Sequence, residues 1–127
     1  MIHFDHIEVH VKTPRLYLNF LKKLFKGGRS KKISKKETYM FLSNDLLRIE
    51  VKQTNISAFD VNNNGFSGFC LPCLRMKDAP KHLATFNNIT VIKTIMNPDG
   101  ECIFFKDYEG IDWHIKNYQS LDIFTNI

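Results

Sequence analysis

No apolar run in these 127 residues reaches the roughly 18 that a bilayer span needs. A secretory leader is not expected either, because MIHFDHIEVH alternates like a strand from its first residues. Cysteine is scarce: Cys70, Cys73 and Cys102 make an odd set without the spacing of a disulfide framework, which predicts a reducing compartment. These absences together predict a cytoplasmic protein. The chain is too short for two independent domains, but at 43% hydrophobic and 24% charged it can bury one core.

Cys70-Leu71-Pro72-Cys73 has the spacing of a redox or zinc motif, yet it falls inside a predicted strand, where alternation sends the two sulfurs to opposite faces. A redox role is therefore not expected. The net charge of +5 is concentrated: eight basic residues fall between Lys22 and Lys36. Nucleic-acid binding would need exposed aromatics or a groove-entering element beside them. The run straddles a helix end and the next strand instead, so it reads as a solvated face that could attract small anions, and nucleic acid ranks last among the partners.

Phe4 to Lys12 alternates, with Ile7, Val9 and Val11 on one face and His6, Glu8 and His10 on the other. Thr13-Pro14 is a cap followed by a first-turn proline, and Leu16, Tyr17, Phe20, Leu21 and Leu24 repeat at helical spacing until Gly27-Gly28, which predicts a helix of about four turns. Strands are predicted near Lys31 to Lys35, Glu37 to Leu42 and Leu46 to Gln53, with a turn at Asn44-Asp45. Thr54 to Ser67 reads as a linker or surface loop. The order then starts again, with a strand at Phe69 to Met76 and an Asp78-capped helix to Phe86. Strands follow at Thr90 to Met96, Cys102 to Lys106 and Ile111 to Asn117, with a turn at Asn97-Pro98-Asp99-Gly100. The last two strands form a hairpin across Asp107-Tyr108-Glu109-Gly110, and parity sets His114 on the face opposite Trp113 and Ile115.

Two βαβββ halves imply an internal repeat. Setting Val11-Lys12-Thr13 on Met76-Lys77-Asp78 gives an offset of 65, which puts His6 over Leu71 and Leu18 over Leu83. Setting Ile49-Glu50-Val51-Lys52 on Trp113-His114-Ile115-Lys116 gives 64. The polar-face positions so picked out are His6, Leu71, Glu50 and His114.

The sequence resembles the vicinal oxygen chelate superfamily, which includes glyoxalases, extradiol dioxygenases, and fosfomycin- and bleomycin-resistance proteins. Asp5-His6-Ile7-Glu8-Val9 is similar to the opening strand, Phe20-Leu21-Lys22-Lys23-Leu24 to the first helix, and Phe105 through His114 to the closing hairpin, with Tyr108 where the family prefers proline. The resemblance implies an α+β fold in which two pseudo-symmetric βαβββ modules, about 1–56 and 66–127 of a single domain, form curled mixed sheets around a cavity, often completed in a homodimer.

It further implies a divalent metal, Fe, Mn, Ni or Zn, on His6, Glu50 and His114, with Leu71 at a fourth position where leucine cannot ligate. Phe69, Leu71 and Cys73 are expected to line the cavity. Glu8 and His10 share the face of His6 as general bases or supporting partners, or else lie at a solvated strand end. Glu50 has Arg48 and Lys52 on its own face, so pairing along or across strands could neutralise it. The implied function is small-molecule binding with lyase, isomerase or oxygenase chemistry. The alternative is metal-free antibiotic sequestration of the bleomycin-resistance type, although relatives of that kind are usually acidic where this chain is basic.

Overall fold

The computed structural model describes residues 2, 4–56, 69–73, 76–97 and 100–117. The chain divides into two compact units, Met1–Val61 and Asn62–Ile127. Each carries one four-stranded mixed sheet.

In the first unit, β1 (Ile7–Val11) leads into α1 (Pro14–Leu24), followed by β2 (Arg29–Lys32), β3 (Thr38–Leu42) and β4 (Arg48–Gln53). The sheet order is β1-β4-β3-β2, with β1 parallel to β4 and the other pairs antiparallel. The helical spacing read in the sequence is what packs the unit. Tyr17, Leu18, Phe20, Leu21 and Leu24 are buried on α1, and Val9, Val11, Tyr39, Phe41, Ile49 and Val51 are buried on the sheet. Each large apolar side chain so buried contributes about 1.5–3 kcal/mol. Alternation leaves Glu8, His10, Glu50 and Lys52 on the opposite face, where Glu8 pairs with Glu50 and His10 with Lys52.

The ends of α1 differ from expectation in detail. It runs 11 residues, about three turns, and Thr13 makes no side-chain capping bond, its carbonyl instead accepting from the Tyr17 N–H at 3.1 Å. The C-terminus closes with Gly27 N–H donating to Lys22 O at 2.9 Å and Lys26 N–H to Lys23 O at 3.3 Å. That pairing is a Schellman arrangement with Lys26, at φ 54°, in the left-handed position where glycine is usual. Gly28 then carries φ +102°, and a Cβ there would stand 2.6 Å from Phe41 Cζ and 2.9 Å from Leu42 O. Both the dihedral and the space demand glycine. Gly28→Ala is expected to destabilise the protein by about 2 kcal/mol, read as a lower urea midpoint at unchanged slope.

The second unit runs β5 (Phe69–Cys73), a 3-10 turn (Met76–Asp78), α2 (Ala79–Leu83), β6 (Thr90–Asn97), β7 (Gly100–Lys106) and β8 (Asp112–Asn117). Its order, β5-β8-β7-β6, repeats that of the first unit, again with one parallel pair, β5 and β8. Both halves are thus βαβββ, as the sequence predicts. Boundaries shift by a few residues: β2 begins two residues earlier than expected, β5 ends at Cys73, and α2 is only five residues long. Most of the expected Thr54–Ser67 loop, from residue 57 on, lies outside the described residues, as do Pro98 and Asp99 of the predicted turn.

The closing hairpin is built on Asp107, which is only 2% exposed. Its Oδ1 accepts from the Glu109 and Ile111 N–H groups at 2.9 and 3.0 Å, and its Oδ2 accepts from the Trp113 indole at 2.9 Å. The turn is thereby locked to the core ring, which packs between Phe69 and Phe105 with centroids 4.8 and 6.4 Å away. No helix among the described residues is long and apolar enough to cross a membrane.

Candidate functional site

The parallel pairing of β1 with β4 sets Glu8 beside Glu50, and His6, one residue before β1, reaches the same place. Ligand atoms of His6, Glu8 and Glu50 all lie within 4.8 Å of one another. His6 stands between two carboxylates: Nδ1 is 2.8 Å from Asp5 Oδ2, and Nε2 is 2.9 Å from Glu50 Oε2. With a carboxylate oxygen beside each nitrogen the surroundings favour the imidazolium, the one form that can donate from both. The Asp5 hydrogen bond raises its pKa above the usual imidazole value, partly opposed by burial and reinforced by the charge on Glu50. Asp5 is itself fixed from behind by Arg48 at 2.9 Å, and its own pKa is lowered, chiefly by the His6 bond.

The second carboxylate is held as firmly. Glu8 accepts from His10 Nε2 at 2.7 Å and from Lys52 Nζ at 3.0 Å, and these bonds lower its pKa, with the His10 bond the larger cause. Lys52 also lies 3.3 Å from Glu50, so one ammonium bridges both carboxylates, and its pKa is raised mainly by Glu8 and then by Glu50. The pairing that the sequence allowed for Glu50 is therefore present through Lys52, whereas Arg48 serves Asp5.

His114 sits on β8 in register with Cys70 and Phe104. Its ring stacks on Phe104 with centroids 5.0 Å apart. Burial, and secondarily Lys116, lowers its pKa, so the ring is neutral near pH 7. Its Nδ1 is buried without a hydrogen-bond partner among the described residues. A neutral imidazole with an unfilled ring nitrogen is chemically a ligand in waiting.

The register sets the second unit's first strand differently from the alignment on its helix cap. Phe69 and Leu71 pair with Trp113 and Ile115, and Cys73 with Asn117. Phe69 and Leu71 are on the Trp113 face of the sheet, opposite His114, so these two do not share its polar face. Cys70 takes that place, exposed and beside His114. The cause is the 3-10 turn Met76–Asp78, which adds three residues between strand and helix in the second unit only. The offset of 65 belongs to the helices, where Leu18 and Leu83 are both buried, while the strands follow 62, with Cys70 standing where Glu8 does. A three-residue error is odd, and an odd slip exchanges the faces of a strand. Leu71 thus matches Val9, and the counterpart of His6 is Gly68, outside the described residues.

No protein-family model and no curated relative matches the sequence. Solved structures do match. The fosfomycin resistance protein FosX of Listeria monocytogenes superposes with a TM-score of 0.75 at 13% identity, covering 96% of this chain and 97% of that one. The fold is that of the vicinal oxygen chelate superfamily. A glyoxylase/bleomycin resistance protein/dioxygenase domain of Frankia sp. EAN1pec follows this chain with a TM-score of 0.71 at 12% identity, over 94% of this chain and 99% of the other. FosX of Mesorhizobium loti gives 0.70 at 14% identity, over 98% and 99%. One Listeria structure was solved with Mn(II) and 1S,2S-dihydroxypropylphosphonic acid, another with Mn(II) and sulfate. At these identities the likeness of vicinal oxygen chelate proteins to this chain is one of fold.

Proposed function

We propose that the polar face of the first sheet is a divalent-metal site serving a small organic ligand, with His6, Glu8 and Glu50 as the donors that the first unit supplies. The observation that carries this is the convergence of one imidazole and two carboxylates within 4.8 Å, with Asp5 bonded to the far nitrogen of the imidazole. A carboxylate behind a ligating histidine is the usual support for a metal-bound ring. One nitrogen and two hard oxygens suit Mn(II) or Fe(II) best among the four metals considered, and the Mn(II) of the Listeria FosX structures supports that choice. Such an ion, when bound, polarises a carbonyl or phosphoryl oxygen of its ligand.

The residues divide the remaining work. Asp5 orients His6. Glu8, with its pKa lowered, is a poor proton acceptor and a good ligand, so we assign it to the metal rather than to general-base catalysis. His10 holds Glu8 in place. His114, in the second unit, is kept as a candidate ligand by family resemblance, and its neutral, unfilled ring is chemically able to ligate. Lewis-acid chemistry of the lyase or isomerase kind follows more naturally from Mn(II) than oxygenase chemistry does. A homodimer belongs to the same proposal and is checked by sedimentation.

Metal analysis of tag-free protein dialysed against Mn(II) or Fe(II) is expected to return one ion per chain. No bound ion would leave the metal-free binding reading, in which His6, His10 and Lys52 are the partners of the carboxylates. The affinity should also depend on pH in a definite sense. The raised pKa means that His6 keeps its proton above the usual range, and the metal must displace it. Affinity is therefore expected to climb roughly tenfold per pH unit from pH 6, and to level off only above the ordinary imidazole value. Calorimetric titration with Mn(II) at a series of pH values measures it.

A further inference from the structure

Beside Glu50 the same sheet face opens into a recess of about 750 Å³, whose lining includes Ser34, Lys35, Lys36, Thr38, Lys52 and Gln53. A cavity of that size fits a small molecule. The segment above it is a built loop. Lys36 N–H donates to Ser34 Oγ at 3.1 Å, Thr38 N–H to Lys36 O at 2.7 Å, and Ile33 N–H to Thr38 O at 3.0 Å. Lys35 and Lys36 are thus carried on a folded-back turn. Glu37, which also borders the recess, is already compensated: Tyr39 donates to it at 2.8 Å, and Arg15 and Lys32 lie 3.4 and 3.6 Å away. The charge balance of the whole unit points the same way, since residues 1–61 hold twelve lysines and arginines against six acidic residues, and residues 62–127 hold six against seven.

We propose that this recess is a subsite for the anionic group of a small organic ligand, a phosphonate, phosphate or carboxylate, held by Lys35, Lys36 and Lys52, and that metal loading makes Lys52 available to it. The second half rests on the metal reading above. Lys52 now bridges Glu8 and Glu50, the two carboxylates a metal would take. A divalent ion there brings two positive charges to a spot beside an ammonium, and charges of like sign a few ångströms apart repel strongly where water is partly excluded. The lysine, on a flexible four-carbon stem, is the partner that moves. It already lines the recess, so leaving the carboxylates puts its charge where an anion would sit. Metal and anion then bind with positive coupling, and by linkage each tightens the other.

The test uses methylphosphonate as probe, titrated calorimetrically into the full chain with EDTA and with saturating Mn(II). A separate Mn(II) titration without probe scores the metal reading on its own. The proposal expects millimolar methylphosphonate binding without metal, at least fivefold tighter binding with Mn(II), and about tenfold weakening in the Lys35→Ala/Lys36→Ala double variant while Mn(II) affinity holds. Lys52→Met should bind Mn(II) more tightly, having lost its competing cation, and should lose most of the metal-induced gain. An undiminished affinity in the double variant overturns the subsite. A full metal-induced gain in Lys52→Met would place the anion on the metal alone and overturn the role given to Lys52. Failure of Mn(II) to bind would sink the metal reading, while the double variant with EDTA would still decide the subsite.

Discussion

Asp107→Ala is expected to lower stability by about 3–5 kcal/mol, as much as truncating a large core side chain. The carboxylate is buried and accepts from three donors at once, two backbone N–H groups of the turn and the Trp113 indole. Alanine would leave all three in a space closed to water, and an unsatisfied buried donor costs about 1–3 kcal/mol. The full sum is not expected, because the turn can relax and admit solvent. Asp107→Asn keeps one acceptor oxygen and should lose about half as much. Trp113 is the sole tryptophan of the chain and donates to the mutated group, so its fluorescence during urea unfolding reports both variants. A loss under 1 kcal/mol for the alanine variant would show that this bonding does not hold the hairpin together.

Glu50→Ala is expected to weaken Mn(II) binding at least about 100-fold, the upper end of what losing even a supporting residue costs a metal site. His6→Ala should do the same. The stability of the Glu50 variant should barely change, because Lys52 keeps Glu8 and His6 keeps Asp5 as partners. The contrast between lost affinity and retained stability separates a ligand from a structural ion pair. Titration of the variants with Mn(II), alongside their urea midpoints, checks both halves. His114→Ala, in parallel, tests the one ligand assigned by resemblance.

The fold was legible in the sequence wherever periodicity and turn chemistry agreed. Val9, Val11, Ile49 and Val51 alternate with polar residues because one sheet face packs on a helix and the other does not, and that contrast shows in the residue types alone. The Asp107–Gly110 turn was visible for the same reason. The repeat picked out His6 and Glu50 only as positions on the polar face; that they meet was an expectation from the family resemblance, and the distance between them needed the paired strands.

Less legible was anything that depended on an insertion. A 3-10 turn of three residues has no periodic signature, and Met76-Lys77-Asp78 looks like the end of a strand followed by a cap. Aligning on the cap carried the shift backwards through β5, which set Phe69 and Leu71 on the face of His114 instead of that of Trp113. Glu8 was placed on the correct face, but its nearness to Glu50 was not foreseen, because one sequence does not show which cross-strand neighbour a carboxylate will meet. Here that neighbour is Glu50, and Lys52 bridges the two. Lys52 had been read only as a flanking charge. Its position between two carboxylates is a product of β1–β4 register and appears only once the strands are paired.

The most direct measurement is a crystal of the tag-free protein soaked in Mn(II), with anomalous scattering used to place the ion. The account predicts a peak within bonding distance of His6 Nε2 and of oxygens from Glu8 and Glu50, with the Lys52 ammonium withdrawn from between them. A peak elsewhere, or none while Lys52 still bridges the carboxylates, would contradict it.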